Sequence, residues 1–239
     1  MTGRSRGRWW SSGTRRWPGP GSSARGVAGD ARAWDAHADA LVDAALAQLP
    51  DPVRQHELSG DVANASLADL AAGRGWSPTE ASHALVADAA VVAAWPDDEP
   101  ISGLRPAESG DARLLAPLHD AEFPQTYASA DGLVEGAIGG EGIVLVVPAV
   151  DGGIAGYAAG QVHDDGEGFI DFVAVDPAAR GTGLGRRLVT ALTRHLLARS
   201  PLGRVCLLVQ DHRRPARALY ERLGFRPDGS FVAYRDWSA

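Results

Sequence analysis

The stretch Phe169–Arg199, FIDFVAVDPAARGTGLGRRLVTALTRHLLAR, constrains what this chain can fold into more than any other. Its apolar run, Phe169 to Val175, has strand length and is rich in β-branched and aromatic side chains. Asp176-Pro177 ends the strand, because proline has no N–H for a ladder and fixes its own φ. Arg180-Gly181-Thr182-Gly183-Leu184-Gly185 then runs directly into a helical pattern with Leu188, Leu192 and Leu196 on one face. A strand, a glycine loop and a helix start together aim backbone N–H groups at phosphate. The glycines lack the Cβ atoms that would hold a ligand away, and the first helical turn has amides without partners. Arg180 and Arg186 add charge-assisted donors. The stretch reads as an anion cradle.

A lone glycine loop is a weak signal, and its neighbours decide what it means. Here Arg180-x-x-Gly183-x-Gly185 follows a valine-rich strand. Downstream come a second apolar strand, Val205–Val209, and the pattern Ala216-x-x-Leu219-Tyr220-x-x-x-Gly224-Phe225. Over about residues 101–239 this ensemble resembles the GNAT superfamily of acyl-CoA-dependent N-acetyltransferases. The resemblance implies an α/β fold, with a mixed, mostly antiparallel central sheet flanked by helices and a smaller N-terminal α/β segment. It implies acetyl-CoA as cosubstrate and no metal.

Bulk properties are compatible with that. The formal charge of −7 and the 22% of charged residues give no overall pull toward nucleic acid. All 23 basic residues are arginine, which reads as compositional drift. Cys206 is the one cysteine; it falls within an apolar strand, so no intramolecular disulfide forms and the expected compartment is reducing, hence cytoplasmic. The longest apolar stretch, Ala84–Trp95, is short and broken by Asp88, so no membrane span is expected.

Three segments are expected. Residues 1–30 carry many arginines, tryptophans, glycines, serines and prolines without periodicity and read as a disordered tail. Residues 31–96 begin with an alanine-rich helix, with Trp34, Leu41, Ala45 and Leu49 along one face. A strand within Val53–Val62, a short helix Asn64–Ala72 and a further element over about 80–95 follow. Asn64 stands eleven residues before Gly75-Trp76, as Arg213 stands before Gly224-Phe225, and Leu70 and Leu219 each stand five before their glycine. Residues 31–96 therefore resemble a degenerate GNAT-like half-domain, with Ala71 where Tyr220 stands in the second unit; an unrelated helical extension is the other reading. Residues 97–239 are expected to form the catalytic domain. Its first strand is expected at Ile101–Pro106, helices at 110–120 and 130–138, and a hairpin from Ile143–Val150 and Ile154–Val162 around Asp151-Gly152-Gly153. Strand 204–210, helix 213–223 and a closing strand or hairpin near 225–236 complete it.

The resemblance assigns roles. The cradle, Arg180, Gly181, Thr182, Gly183, Leu184, Gly185 and Arg186, would hold pyrophosphate. The backbone of Val173, Ala174 and Val175 would meet pantetheine and supply an oxyanion donor, on a strand that splays from its neighbour. Tyr220 is the candidate acid for the departing thiolate. Arg213 stands where the family commonly has Asn and is a candidate for CoA phosphate. Phe169 stands where the family often has a basic glutamate. Strand alternation gives Asp171 the face of Phe169, Val173 and Val175, so Asp171 is the nearest substitute base, with Glu167 and His163 behind it. A merely hydrogen-bonded Asp171 is the other reading. Cys206 is not placed for an acyl intermediate. The function implied is acetyl transfer from acetyl-CoA to a primary amine by direct attack in a ternary complex; a catalytically weak acyl-CoA-binding regulatory module is the alternative. Expected partners are a small-molecule or peptide amine acceptor, with a homodimer left open, and neither nucleic acid nor membrane.

Overall fold

The computed structural model describes residues 31–47, 57–96, 101–124, 126 and 128–236; the tail expected over residues 1–30 lies outside them. The elements in order are α1 (Ala31–Leu46), β1 (Glu57–Asp61), α2 (Ala65–Gly73), β2 (Ser77–Pro78), β3 (Ser82–Asp88), α3 (Ala89–Ala93), β4 (Arg105–Pro106), α4 (Asp111–Glu122), α5 (Ala130–Ile138), β5 (Ile143–Pro148), β6 (Ile154–Val162), β7 (Gly168–Val175), α6 (Leu184–Leu197), β8 (Arg204–Gln210), α7 (Arg214–Arg222) and β9 (Arg226–Arg235). Their strands form one sheet in the order β1-β9-β3-β8-β7-β6-β5-β4, with β2 also on β9. All ladders are antiparallel except β7 with β8. The architecture is the α/β fold expected from the sequence.

Two cores flank the sheet. On one face α6 buries Leu184, Leu188, Leu192 and Leu196 against Leu145, Ala158, Ile170 and Leu207. Spacing of four places these leucines in one stripe, and each contributes roughly 1.5–3 kcal/mol on full burial. Gly156 and Gly160 let the helix approach, since a Cβ at Gly156 would lie 3.0 Å from Leu188 Cδ1. On the other face α4 and α5 cover Val144, Val146, Tyr157, Ala159 and Phe172. Arg105 grips buried Asp111 with two nitrogens, at 2.5 and 2.8 Å, pinning β4 to the start of α4 and holding the Asp111 carboxyl below the usual range. The first strand shrinks to Arg105–Pro106.

α1 differs from its expected facing. Trp34, Ala38, Val42 and Leu46 turn inward, the first, third and last packing with the cluster of Leu67, Ala71, Trp76 and Tyr234, while Leu41 is exposed. Both sets begin at Trp34 and drift slowly around the helix; contact with the cluster of Leu67, Ala71, Trp76 and Tyr234 selects the one through Val42, and Leu49 lies outside the described residues.

β3 stands between β8 and β9, pairing Leu85 with Leu207 on one side and Pro227 on the other. The segment before residue 97 thus lies within the same sheet as the rest. A shift of 149 residues carries Asn64 onto Arg213, α2 onto α7, and Gly75 onto Gly224, both at positive φ. The same shift exchanges the two ladders: Glu57↔Arg235 becomes Cys206↔Val86, and Asp61↔Phe231 becomes Gln210↔Ser82. Even single bonds repeat, as Val62 N to Ser230 O recurs as Asp211 N to Ala81 O, both at 3.0 Å. These elements are related by a local pseudo-two-fold axis between β3 and β9.

Leu85 is fully buried at this seam. Leu85→Ala should lower unfolding free energy by about 2–5 kcal/mol in urea, the range for a core leucine. A loss below about 1 kcal/mol would mean that β3 only rests on the sheet.

Candidate active site

β7 and β8 run parallel only from Gly168↔Val205 to Ile170↔Leu207 and then part. The cause lies in β7. Against β6 the register jumps from Ala159↔Phe172 to Gly160↔Ile170, so Asp171 is the extra residue of a bulge. A bulge bends its strand and strengthens its twist. It sits immediately after the last parallel pair, and beyond it β7 leaves β8.

The bulge also sorts the backbone. Asp176 N donates to Ala155 O at 2.9 Å, which makes that pair a hydrogen-bonded one. Antiparallel alternation then makes Ala174↔Tyr157 and Phe172↔Ala159 bonded pairs, and turns the N–H and C=O of Val173 and Val175 the other way. That way lies the widening gap before β8. Val173 and Val175 are thus the two residues of the expected trio whose backbone faces the slot, while Ala174 is bound to β6.

Side chains are sorted too, and here the expected face of Asp171 needs correction. Val173 and Val175 pack with the α6 core, whereas Phe169 packs with Ala84, Cys206 and Phe231. Asp171 accepts from Gln161 Nε2 at 3.2 and 3.4 Å, and Gln161 is the register partner of Phe169. Asp171 therefore shares the face of Phe169 and lies opposite Val173 and Val175, because the extra residue resets the alternation.

The glycine loop lies at the mouth of the slot. Gly181 and Gly183 have φ of 78° and 82°, and a Cβ on either would meet nothing within 4 Å. Backbone conformation demands glycine there, and the space around it is free. Gly183 caps α6 without a side-chain bond, and Arg187 N to Gly183 O is the first helical bond, at 3.2 Å. Leu184 and Gly185 consequently have amides without an acceptor inside the helix. No acidic residue stands in the first turn, which also carries Arg186 and Arg187. Thr182 Oγ1 donates to Ala179 O at 2.8 Å and closes the loop on itself. Arg180 folds back over the slot: its Nε donates to Val175 O at 3.1 Å and its terminal nitrogen pairs with Glu122. Arg213, the N-cap residue of α7, donates to Glu122 O at 2.6 Å and to Gln210 Oε1 at 3.1 Å, with its guanidinium 5.0 Å from the Phe123 ring. It is turned toward the end of α4.

Tyr220 is half-buried on α7, edge-on to Phe225 at 5.9 Å, and packs against the α6 core, as Val173, Val175 and Leu219 also do. Burial pushes its phenol up to about 12, with the Arg213 charge opposing. At neutral pH it is a donor. The remaining candidates lie elsewhere. Glu167 forms an ion pair with Arg204, which also holds Asp228 at 2.7 Å, and burial raises the Glu167 carboxyl. His163 stacks on Phe169 at 5.1 Å. Glu167 stands just before β7, at the end of the strand away from Val173. Burial pushes the Cys206 thiol up to about 12, which opposes a nucleophilic role.

Sequence reasoning did not single out α4's contribution. His119 is buried; its Nε2 lies 2.9 Å from Ala128 O and its Nδ1 2.6 Å from Tyr157 OH. The carbonyl requires a proton on Nε2, so Nδ1 accepts from the phenol. Phe123 and Phe172 close around the imidazole. This bolts the end of α4, and so Glu122, beside the slot. Nothing in the spacing of His119 or Glu122 announces that. Among the described residues no group of three or more His, Cys, Asp and Glu could hold a metal, and no helix is long and apolar enough to cross a membrane.

Residues 113–225 match the family model described as Acetyltransferase (GNAT) family. A mycothiol acetyltransferase of Nocardioides sp. is 34% identical over 160 residues, 65% of this chain and 50% of the relative. Another, of Thermobifida fusca, is 41% identical over 102 residues, 39% of this chain and 31% of the relative. The chain spans only about a third to a half of the length of these relatives. A putative GNAT acetyltransferase from Novosphingobium aromaticivorans superposes with a TM-score of 0.56 at 21% identity, over 76% of this chain and 73% of its own. A tandem GNAT protein of the clavulanic acid biosynthesis pathway gives 0.57 at 18%, over 91% and 71%.

The phenol generates a pH prediction. The unfolded chain loses the Tyr220 proton near pH 10, while the folded one keeps it to about pH 12. Its contribution to stability is fully present below pH 10 and is lost as pH rises toward 12. Tyr220→Phe should flatten that part of the decline in denaturation curves taken between pH 9 and 12. An identical decline in both proteins would mean the phenol is solvated.

Proposed function

Since the chain belongs to the GNAT superfamily of acetyltransferases, we propose that it moves an acetyl group from acetyl-CoA to a primary amine by direct attack in a ternary complex. The observation that carries this is the slot between β7 and β8, with a glycine cradle at its mouth and along it a backbone edge that neither neighbouring strand takes up. A linear amide-bearing arm matches an edge that presents both N–H and C=O, as an added strand would. Pyrophosphate matches a helix start with open glycines and basic side chains. Acetyl-CoA supplies an activated acyl group with a thiolate leaving group.

In this reading the amides of Leu184 and Gly185 hold phosphate oxygens. The N–H of Val173 points at the developing oxyanion of the acetyl carbonyl, where a fixed donor lowers the barrier most. The amine attacks as a neutral nucleophile, the C–S bond breaks, and the Tyr220 hydroxyl gives its proton to the sulfur. The proton lost by nitrogen leaves through Asp171 or through water on its face. Tyr220 can act as acid because a phenol is protonated at working pH and can donate to a departing thiolate. The relatives' name makes the acceptor of mycothiol acetyltransferases the first to try on this chain.

Residues 31–96 fit a degenerate half-domain beside a catalytic unit over 97–239. The 149-residue correspondence of α2 with α7 and of the two ladders supports this. Ala71 in the place of Tyr220 leaves the first unit without a proton donor there.

Phe169 and Arg213, in place of the family's glutamate and asparagine, favour the second reading, a weakly catalytic acyl-CoA-binding module. Thiol release from acetyl-CoA over a panel of amines decides between them. Tyr220→Phe should lower kcat roughly 10²–10⁴-fold with little change in KM for the donor. Gly183→Glu, which adds a negative side chain at positive φ, should abolish CoA binding in calorimetry. Full kcat in Tyr220→Phe would remove the acid role. Tight CoA binding without turnover on any amine would favour the binding module.

A further inference from the structure

We propose that Glu122 sets the affinity for the acyl donor: its carboxylate latches Arg180 across the mouth of the β7–β8 slot, and the donor's pyrophosphate takes that guanidinium over. The proposal rests on the donor site argued above. It begins from the two arginines that Glu122 joins. Arg180 is tied to the end of β7 through Val175 O, and Arg213 to the end of β8 through Gln210 Oε1. These are the two strand ends that diverge. Glu122 bonds to both arginines, through its carboxylate to Arg180 and through its backbone oxygen to Arg213. One residue thus spans the opening.

The two halves of this bridge differ in permanence. The Arg213 half uses a backbone acceptor at 2.6 Å and a guanidinium packed on Phe123, on a helix end anchored by His119. The Arg180 half joins two charged side chains, 53% and 28% exposed. Such a pair is screened and exchanges readily. Its carboxylate also has a second cation at hand, since Glu122 Oε2 already lies 3.9 Å from Arg213 Nη1. Arg180 can therefore leave without stranding a charge.

A pyrophosphate at the start of α6 offers that arginine several charged oxygens and has the helix amides as further donors. It outcompetes a single carboxylate. Until it arrives, Glu122 neutralises the cation that would otherwise attract it. Glu122 is accordingly a positioning residue whose charge weakens donor binding. The exchange forms and breaks no covalent bond.

Calorimetric titration of the full chain with CoA tests this, comparing wild type with Glu122→Gln, which keeps shape and removes charge. Binding should tighten about three- to tenfold, from loss of an exposed competing pair and of repulsion toward phosphate. The gain should shrink at about 0.5 M salt and be absent for pantetheine, which has no pyrophosphate. Glu122→Asp, with a shorter reach, should also tighten CoA binding and serves should the glutamine variant fold poorly. Unchanged or weaker CoA binding in the folded variants would overturn the latch while leaving the donor site standing. An equal gain with pantetheine would overturn it as well, because the effect would not run through phosphate. A wild type that bound no CoA would overturn the donor site and the latch together.

Discussion

The extra residue in β7 is the constraint on which the rest of the site depends. Two parallel strands with continuous registers would pair along their length and leave no backbone groups for a ligand. Asp171 interrupts the β6–β7 register one step beyond Ile170↔Leu207, the last parallel pair. From there β7 stays bonded to β6 on one side and presents Val173 and Val175 on the other. Unpaired backbone groups are tolerable in an interior only where water or a ligand reaches them. The gap is therefore a polar slot by construction. At its mouth stand Gly181 and Gly183, the start of α6, and the arginine that folds back onto Val175 O.

Opposing faces of the sheet serve different ends. The α6 face is a dense apolar core that fixes the helix start relative to the slot, and Tyr220 of α7 packs against the same core as Val173 and Val175. Across the sheet, α4 is pinned at one end by Arg105–Asp111 and at the other by His119–Tyr157, so Glu122 is held in place from both directions. The donor slot lies where these two faces meet. β3 enters the same sheet from the N-terminal side and completes the packing between β8 and β9, which ties the first segment to the stability of the second.

Much of this was legible in the sequence because it is local. The strand ending at Asp176-Pro177, the positive-φ glycines and the leucine stripe of α6 each follow from short-range chemistry, and α2, α5, β6 and α7 fall within a residue or two of their expected bounds. What was not legible depends on register. A bulge has no periodic signature, so alternation carried Asp171 to the wrong face. The insertion of β3 between β8 and β9 is a pairing over more than a hundred residues, and an apolar run such as SHALVAD names no partner. In α1 the expected stripe ran through Leu41, and packing on the cluster of Trp76 and Tyr234 selects instead the one through Val42. Glu122 and His119 are ordinary residues in sequence, made significant by the end of a helix reaching a slot.

The central claim is that the acyl donor lies along the backbone edge of β7 that the bulge frees. Residue-resolved amide hydrogen exchange, with and without saturating acetyl-CoA, tests it most directly. In the free protein Val173 and Val175 should exchange fast, and Phe172 and Ala174, bonded to β6, slowly. On binding, Val173 and Val175 should become protected while Phe172 and Ala174 change little. Bound acetyl-CoA that left Val173 and Val175 as fast as before would contradict the account.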